Sequence, residues 1–422
     1  MTRGAHLRRS SLVTRDGALV FTGRVVRTFS LGALSLALPL LLKHRGLSAA
    51  ALGGVLTATL VEDALLTAAV TALAPRWGRR RLLILSAIPM VAGGVALALA
   101  RDTAWLLAAV VVAVVSSNGQ DAGPFSPLEV AILPDAVAPR RQTRAFAWLN
   151  VAGFLPAALG ALVAGQWIRT ATASGGPFED ALRRVVWAYV AGGVVLALVY
   201  SGLSRGVERP HAGRDAAPPR TWLGLHRSRG IVLQLAGLQA LDALAGGFVA
   251  QSLLVYWFDL RFGAGPDVLG RLFFGTQVLS ALSFLAAARL AERVGLLHTM
   301  VFTHVLSNLL LALVAVMPTF RLAAVTLLCR HLFSQMDVPT RQSYTMALVA
   351  PDERAPAAGL TTAVRGLAQS VSPALTGIAL AHAAFGLPFF VAGGLKIVYD
   401  LALFARLRRV VLPIAVDGRP AR

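Results

Sequence analysis

Residues 71–83 read TALAPRWGRRRLL, a short basic segment that separates two long apolar stretches. The stretch before it, at about 50–74, and the stretch after it, at about 82–100, contain no Lys or Arg. A helix needs about 20 apolar residues to cross the hydrocarbon core of a bilayer. Both stretches are long enough, so the segment predicts a tight basic turn between two membrane-spanning helices.

The same alternation continues along the whole chain of 422 residues, of which 56% are hydrophobic and only 14% are charged. The mean hydropathy is +0.67, well above that of an ordinary soluble domain. Twelve stretches are expected to span the membrane, at about 17–42, 50–74, 82–100, 103–134, 145–168, 185–204, 231–257, 268–290, 296–316, 322–349, 356–381 and 385–406. The sequence therefore predicts an all-α membrane protein with twelve transmembrane helices.

The net charge of +20 is explained by where the basic residues lie. With the N-terminus inside, the inner segments hold 25 of the 40 Lys and Arg residues, and the outer loops hold eight. This bias follows the positive-inside rule and predicts a multi-pass protein of the cytoplasmic membrane with both termini in the cytoplasm. The charge is thus a topology signal, and a nucleic-acid partner is not expected. Cys329 is the only cysteine, so an internal disulfide is excluded.

The chain divides into two related parts. A shift of 217 residues aligns Leu52–Gly53 with Leu269–Gly270, and a shift of 212 aligns Pro127 with Pro339. The longest polar break, at 205–230, lies between them. We expect an N-terminal six-helix bundle at 1–204, a cytoplasmic linker at 205–230 and a C-terminal six-helix bundle with a short cytoplasmic tail at 231–422, related by pseudo-symmetry.

The basic segment also carries a recognisable motif. It resembles the signature between helices 2 and 3 of the major facilitator superfamily, usually written G-x-L-a-D-R-x-G-R-R-x-x-L. The matching residues are Leu73, Ala74, Arg76, Gly78, Arg79, Arg80 and Leu83. A degenerate second copy, ARLAERVGLL at 288–297, supplies Glu292, Arg293 and Gly295. Thr71 replaces the first glycine and Pro75 replaces the aspartate. In the family this acid helps to hold the cytoplasmic gate closed, and a proline cannot take its place.

The resemblance implies a secondary transporter that works by alternating access between two six-helix bundles. It implies a small-molecule substrate, no cofactor, no enzymatic activity and a monomer in the lipid bilayer, and proton coupling is the expected drive. The stretch SQMDVPTRQSY, at 334–344, is similar to an uncharacterised prokaryotic branch of the family. No ATP-binding loop and no metal-ligand spacing occurs in the sequence.

Ionisable side chains within the predicted spans are the candidate functional residues, because a charge at bilayer depth is costly unless it meets a partner or a wet cavity. The proton-coupling candidates are Glu62, Asp63, Asp121, Glu129 and Asp337. The candidates for the cavity, the gate or substrate contact are Arg27, Asp242, Arg330, Arg341, Arg365, Lys396 and Asp400.

Several pairings are expected among these charges. Arg27 lies at nearly the depth of Glu62 and Asp63, so it is predicted to pair with one of them, with Asp242 as a competitor across the axis. Glu129 and Arg341 occupy matching heights in the repeat and are predicted to attract each other when the inner side closes. Each follows a proline, at which the helix is expected to bend.

The remaining pairings concern the second half of the chain. Lys396 and Asp400 are four residues apart and are predicted to neutralise each other, with a coupling role for the lysine as the alternative. Arg330, Asp337 and Arg341 share a helix face, and Arg365 is a further partner for Asp337. His331 is expected to be a hydrogen-bonded packing residue rather than a proton carrier.

The direction of transport is the weakest inference. Pro156-x-x-x-Gly160 and Pro373-x-x-x-Gly377 resemble part of a motif of the family's exporters, which favours efflux, although close helix packing also explains these small residues. Uptake by symport stays open, and so does a non-transporting receptor or scaffold on the same fold. A membrane enzyme or lipid-handling protein would need a reactive constellation, and none is visible.

Overall fold

The computed structural model describes residues 14–116, 124–136, 142–208, 225, 227–338, 341, 348–349 and 354–408. The α-helices in these ranges are, in chain order, α1 Arg15–His44, α2 Ala49–Trp77, α3 Arg79–Leu99, α4 Thr103–Val112, α5 Phe125–Ala136, α6 Gln142–Ala173, α7 Phe178–Ser201, α8 Arg229–Gly247, α9 Gln251–Phe262, α10 Pro266–Val294, α11 Leu296–Val314, α12 Phe320–Phe333, α13 Arg354–Ala381 and α14 Leu387–Leu407. We refer to α1–α7 as the N-terminal half and to α8–α14 as the C-terminal half.

The helices follow the predicted spans closely, and the prediction of an all-α membrane protein is confirmed. Within the described residues, nine helical segments are long and apolar enough to cross a membrane. The described loops at 45–48, 100–102 and 263–265 are short, so the helices that each of them joins run in opposite directions. We call the side at which α1 begins the terminal face, and the side at which α1 ends the opposite face.

Three of the predicted spans are interrupted. The span at 103–134 separates into α4 and α5, the span at 231–257 separates into α8 and α9, and α12 ends at Phe333. Where α4 ends, Val114 has a φ of 50°, an unusual conformation for a β-branched residue. The Tyr189 hydroxyl donates to the carbonyls of Ala113 and Val114 there, which satisfies backbone groups that the helix no longer pairs.

The two halves meet closely toward the opposite face, where small residues let helix backbones touch. Gly53 of α2 lies against the Pro373 carbonyl and Gly377 of α13. Gly165 of α6 lies against the Pro266 carbonyl of α10 in the same way. A Cβ atom at either glycine would come closer to backbone than van der Waals contact allows. These glycines therefore permit a tight seal between the halves.

Polar contacts support the same closure. At the ends of α1 and α9, Lys43 Nζ and Asp259 Oδ2 form an ion pair at 2.7 Å. Deeper in the protein, Gln251 Nε2 donates to Ser35 Oγ at 2.9 Å. Ser252 Oγ donates to the Ser35 carbonyl at 3.3 Å. The structure is thus closed between the halves toward the opposite face.

The basic turn between α2 and α3 is built as its sequence predicts, with Gly78 at a φ of 86°. Its counterpart Gly295, between α10 and α11, has a φ of 90°. The acid that Pro75 fails to supply comes from elsewhere, because Glu208 Oε1 accepts from the Arg80 backbone N–H at 3.2 Å. A carboxylate is favoured at a helix N-terminus, so Glu208 stabilises the start of α3. This acid lies more than a hundred residues from the motif, where a local pattern could not reveal it.

The arginines of this turn also hold neighbouring helices. Arg79 Nη1 donates to the Ala131 carbonyl at 3.0 Å and Arg80 Nη2 donates to the Ser201 carbonyl at 2.6 Å. Arg293, in the second copy, is exposed. The side chains of Arg76 and Glu292, all of Asp121 and most of the predicted 205–230 linker lie outside the described residues.

Candidate functional site

A buried carboxylate on α5 collects two arginines from α1. Arg24 Nη1 and Arg27 Nη2 both donate to Glu129 Oε2, at 3.0 and 2.9 Å. The Tyr200 hydroxyl donates to Glu129 Oε1 at 2.5 Å. The Arg27 guanidinium also lies 5.0 Å from the centre of the Phe125 ring. We call Arg24, Arg27, Glu129 and Tyr200 the N-terminal charge cluster.

This cluster differs from the predicted pairing. Arg27 was expected to meet Glu62 or Asp63, whereas among the described residues the carboxylate that it contacts is Glu129, which has no exposed surface. Burying a carboxylate is costly unless charged donors satisfy it, and here two guanidinium groups and a hydroxyl do so. The spacing of α1, α5 and α7, rather than depth alone, decides which carboxylate Arg27 reaches.

The C-terminal half contains a second buried carboxylate, Asp242 of α8, which is 4% exposed. Lys396 Nζ donates to Asp242 Oδ1 at 2.6 Å. Arg341 Nη1 and Arg365 Nη1 donate to Asp242 Oδ2, each at 3.2 Å. His304 Nε2 lies 3.9 Å from Asp242 Oδ1. A single aspartate thus holds cationic side chains from three different segments of the chain.

The other acids of this half have their own partners. Asp337 Oδ2 accepts from Arg341 at 2.8 Å, across one helical turn. Asp400 Oδ1 lies 2.8 Å from His304 Nδ1, and Asp400 Oδ2 accepts from Asn308 Nδ2 at 3.2 Å. We call Asp242, His304, Asp337, Arg341, Arg365, Lys396 and Asp400 the C-terminal charge cluster.

Two predicted pairings in this cluster are wrong in detail. Lys396 donates to Asp242 rather than to Asp400, and Asp400 is held by His304 and Asn308 on α11. Arg365, which was expected to answer Asp337, donates to Asp242. In both cases the cation reaches Asp242 on another helix instead of the acid that was expected, because three segments of the chain converge on Asp242.

The two clusters repeat one arrangement with the signs of the charges reversed. In the N-terminal half, the first span supplies Arg24 and Arg27 and the fourth span supplies Glu129. In the C-terminal half, the first span supplies Asp242 and the fourth span supplies Arg341. In this conformation Glu129, Arg27, Asp242 and Arg341 each pair within their own half, so neither Glu129–Arg341 nor Arg27–Asp242 is formed. Attraction between Glu129 and Arg341 when the inner side closes stays a prediction.

A polar cavity of about 310 Å³ lies in the C-terminal half, beside the contact with α1. Its lining is Asp242, Ala243, Gly246, Val249, Gln251, Leu254, Phe273, Thr276, Gln277, Ser280, Arg330, His331, Gln335, Arg365, Gln369 and Lys396. Gln277 Nε2 donates to Gln251 Oε1 at 2.8 Å, and Gln251 reaches Ser35 of the other half. The cavity wall is thus linked directly to the interface between the halves.

Two neighbouring side chains of α12 face this cavity. His331 Nδ1 lies 2.8 Å from the Leu327 carbonyl, to which it must donate, and Arg330 Nη1 donates to His331 Nε2 at 3.3 Å. Because one ring nitrogen donates and the other accepts, His331 is neutral in this arrangement. This agrees with its predicted place as a hydrogen-bonded packing residue.

Of the predicted carboxylates on α2, Glu62 is half-buried within its span. Its Oε2 atom is buried and has no hydrogen-bond partner among the described residues. Glu62 lies within electrostatic range of Tyr189, the residue that closes the end of α4. A carboxylate oxygen that accepts no hydrogen bond is open to protonation.

Sequence reasoning missed several polar residues that complete these sites. Tyr200, His304 and Asn308 contact the buried carboxylates, and Gln251 and Gln277 form the polar wall. A signal for them exists, because each is a hydrogen-bonding side chain within a long apolar span. His304 and Asn308 also stand one helical turn apart, which places both on the face toward Asp400.

Comparison with known proteins identifies the relatives of this chain. A model described as the Major Facilitator Superfamily matches residues 20–262. An uncharacterized membrane protein of Saccharomyces cerevisiae, YJR124C, is 23% identical in an alignment 418 residues long that covers 92% of this chain and 93% of the yeast protein. The predicted prokaryotic branch stays a prediction.

Solved transporters share the fold. The nucleoside transporter NupG matches 93% of this chain and 99% of its own with a TM-score of 0.68 and 14% identity. The D-xylose-proton symporter matches 96% of this chain and 99% of its own with a TM-score of 0.70 and 12% identity. A bacterial homolog of the human lysosomal transporter Spinster, in an inward-facing and unoccupied conformation, matches 97% of this chain and 100% of its own with a TM-score of 0.69 and 16% identity.

Proposed function

This chain belongs to the Major Facilitator Superfamily, and we propose that it is a secondary active transporter that carries a small solute across a membrane by alternating access, driven by protons. The observation that carries the proposal is the polar cavity of about 310 Å³ beside the interface, at a place where the halves are sealed toward the opposite face. A solute bound there would leave through the terminal face when that side is open.

The two charge clusters support a cycle in which the halves move as units. Each buried carboxylate is paired within its own half, so rocking of one half against the other breaks neither ion pair. Breaking a buried pair by removing one partner costs about 3–5 kcal/mol, and a cycle that did so at every turnover would be slow. We propose that 1–204 and 231–422 are these two moving bodies.

Glu62 is our proposed site of proton uptake. Its unsatisfied Oε2 atom distinguishes it from Glu129, whose two oxygens accept from charged or hydroxyl donors. Protonation removes the charge from a half-buried carboxylate. It therefore lowers the cost of burying this side chain further when the helices move. Proton binding and the conformational change would then be linked.

We expect Glu62→Gln to abolish proton-driven accumulation while leaving solute exchange intact, because the variant fixes the uncharged form. Purified protein in vesicles would be tested with radiolabelled sugars, nucleosides, amino acids and carboxylic acids under an imposed pH gradient. Accumulation should fall at least about tenfold, the minimum expected for loss of a coupling free energy of about 1.4 kcal/mol. Asp180→Asn, an exposed acid at the start of α7, is the matched control.

Accumulation that follows a sodium gradient and ignores the pH gradient would contradict the proposed drive. Equal accumulation by Glu62→Gln and the wild type would contradict the proposed proton site. Flux is measured in both directions, because the direction of transport is open. The glycines whose motif favoured efflux are also explained by close helix packing. Gly160 lies against the Phe29 carbonyl and Gly377 against the Ala49 carbonyl.

The location of the protein follows from the same charge bias that the sequence displays. We propose the cytoplasmic membrane, with the terminal face toward the cytoplasm. The support is the excess of Arg in segments that meet this face, including Arg79, Arg80, Arg205 and Arg293.

A further inference from the structure

The cavity in the C-terminal half contains more cationic than anionic side chains. Arg330, Arg365 and Lys396 line it, and Asp242 is the acid in its lining. His331 adds no charge, because its ring donates through Nδ1 and accepts through Nε2. Within the described residues, the lining therefore has a formal excess of positive charge.

Arg330 is the lining cation without a direct ion pair among the described residues, and Asp242 and Asp337 attract it only at longer range. Among the described residues no Asp or Glu forms an ion pair with it, and the contact of its Nη1 atom is the neutral His331 ring. Its Nε atom is buried and makes no hydrogen bond in the same part of the chain. An arginine at bilayer depth is costly when no acid contacts it directly, so Arg330 is placed to bind an incoming anion.

Arg365 and Lys396 are available to the same ligand at little cost. Both donate to Asp242, which also accepts from Arg341. If Arg365 or Lys396 turned toward a bound anion, Asp242 would keep the other cations as partners. A shared carboxylate of this kind lets cations move between a resident acid and an incoming one without leaving a buried charge unpaired.

The rest of the lining defines what else the ligand carries. Gln335, Gln369, Thr276 and Ser280, whose side chains carry amide or hydroxyl groups, line the cavity together with Phe273. A volume of about 310 Å³ is at the lower end of the range for ligand pockets, which is about 300–1,000 Å³. The site therefore fits a small molecule with hydrogen-bonding groups rather than a large apolar drug.

We propose that this cavity binds a small polar organic anion, with the Arg330 guanidinium as its main counter-charge and with Arg365 and Lys396 as further contacts. The inference rests on the proposed transport function and names the substrate class for it. A planar guanidinium with paired N–H donors matches the geometry of a carboxylate. Neutral and cationic solutes of the same size lack the charge that the cavity needs.

The test measures binding without requiring transport. The thermal stability of the purified protein is recorded with pairs of probes that differ in charge at nearly equal size: lactate and lactamide, succinate and succinamide, benzoate and benzamide, nicotinate and nicotinamide. We expect at least one acid to raise the Tm while its amide does not. Arg330→Gln should weaken the binding of that acid at least about tenfold, which is the loss expected for one charge-assisted hydrogen bond. Arg330→Lys should restore part of the affinity.

The matched control is Arg271→Gln, which removes an exposed arginine of α10 that pairs with Asp267. Arg330→Gln should fold, because within the described residues it deprives no carboxylate of its partner. The proposal is overturned if none of the acids raises the Tm of the wild type, if the amides raise it equally, or if Arg330→Gln responds like Arg271→Gln. Proton-driven flux of a neutral solute would then still support transport, so failure of this inference and failure of the transport function are distinguishable.

Discussion

Gly53→Ala should lower transport by about 10- to 100-fold by preventing the halves from sealing at the opposite face. The added methyl group would overlap the Pro373 carbonyl and the backbone of Gly377, neither of which is a flexible side chain. Overpacking of this kind costs about 1–3 kcal/mol. Each 1.4 kcal/mol changes the equilibrium constant between the sealed and unsealed states tenfold, and transport follows that constant when sealing limits the cycle.

Gly54→Ala is the control, because a Cβ at this adjacent position meets no atom within 4 Å. The two variants change helix propensity alike and differ in the contact that the new methyl group makes. Initial rates of flux in vesicles, normalised to the amount of inserted protein, measure the effect. If both variants transport at the same rate, the glycine contact is not part of the cycle.

Glu129→Gln should be the most destabilising conservative substitution in the N-terminal half. Arg24 and Arg27 would lose the carboxylate that they share, and both arginines are buried. Removing one partner of a buried ion pair costs about 3–5 kcal/mol, so we expect a large fall in Tm and in the yield of folded protein.

Glu179→Gln tests whether burial is the cause. Glu179 also contacts two arginines, Arg45 and Arg183, but its side chain is 26% exposed and lies at the opposite face. An ion pair of this kind is worth about 0–1 kcal/mol. Thermal unfolding in detergent should therefore separate the two variants clearly. A Glu129→Gln protein as stable as Glu179→Gln would show that the N-terminal charge cluster contributes little to folding.

The architecture was accessible from the sequence because it depends on local properties. An apolar stretch predicts a span wherever it occurs, and the alternation of Arg-rich turns with apolar stretches predicted where the helices lie along the chain. The repeat also predicted that Glu129 and Arg341 stand at matching heights, and the reversed charges of the two clusters follow from that relation.

The partners of the charged residues were less accessible, because depth along a helix does not determine which neighbour lies beside it. Arg27 reaches Glu129 rather than Glu62 or Asp63, and Lys396 reaches Asp242 rather than Asp400. Both outcomes depend on the sideways packing of helices far apart in the chain. Breaks such as the one between α8 and α9 were missed as well, since the residues there are as apolar as a continuous helix requires.

The central claim is that the two halves rock against each other, so that the opposite face and the terminal face open in turn. Distances between spin labels on each face test this claim most directly. One pair, Arg101→Cys with Arg321→Cys, reports the opposite face, and a second pair, Arg81→Cys with Arg293→Cys, reports the terminal face. All four positions are exposed, and each pair spans the two halves.

The exposed native Cys329 is replaced by alanine in both proteins. Pulsed electron paramagnetic resonance in lipid nanodiscs then compares neutral pH with acidic pH plus an anion that binds. We predict that the opposite-face distance lengthens by several ångströms in a fraction of molecules while the terminal-face distance shortens in the same fraction. Distances on both faces that stay unchanged under every condition, or that lengthen together, would contradict the account.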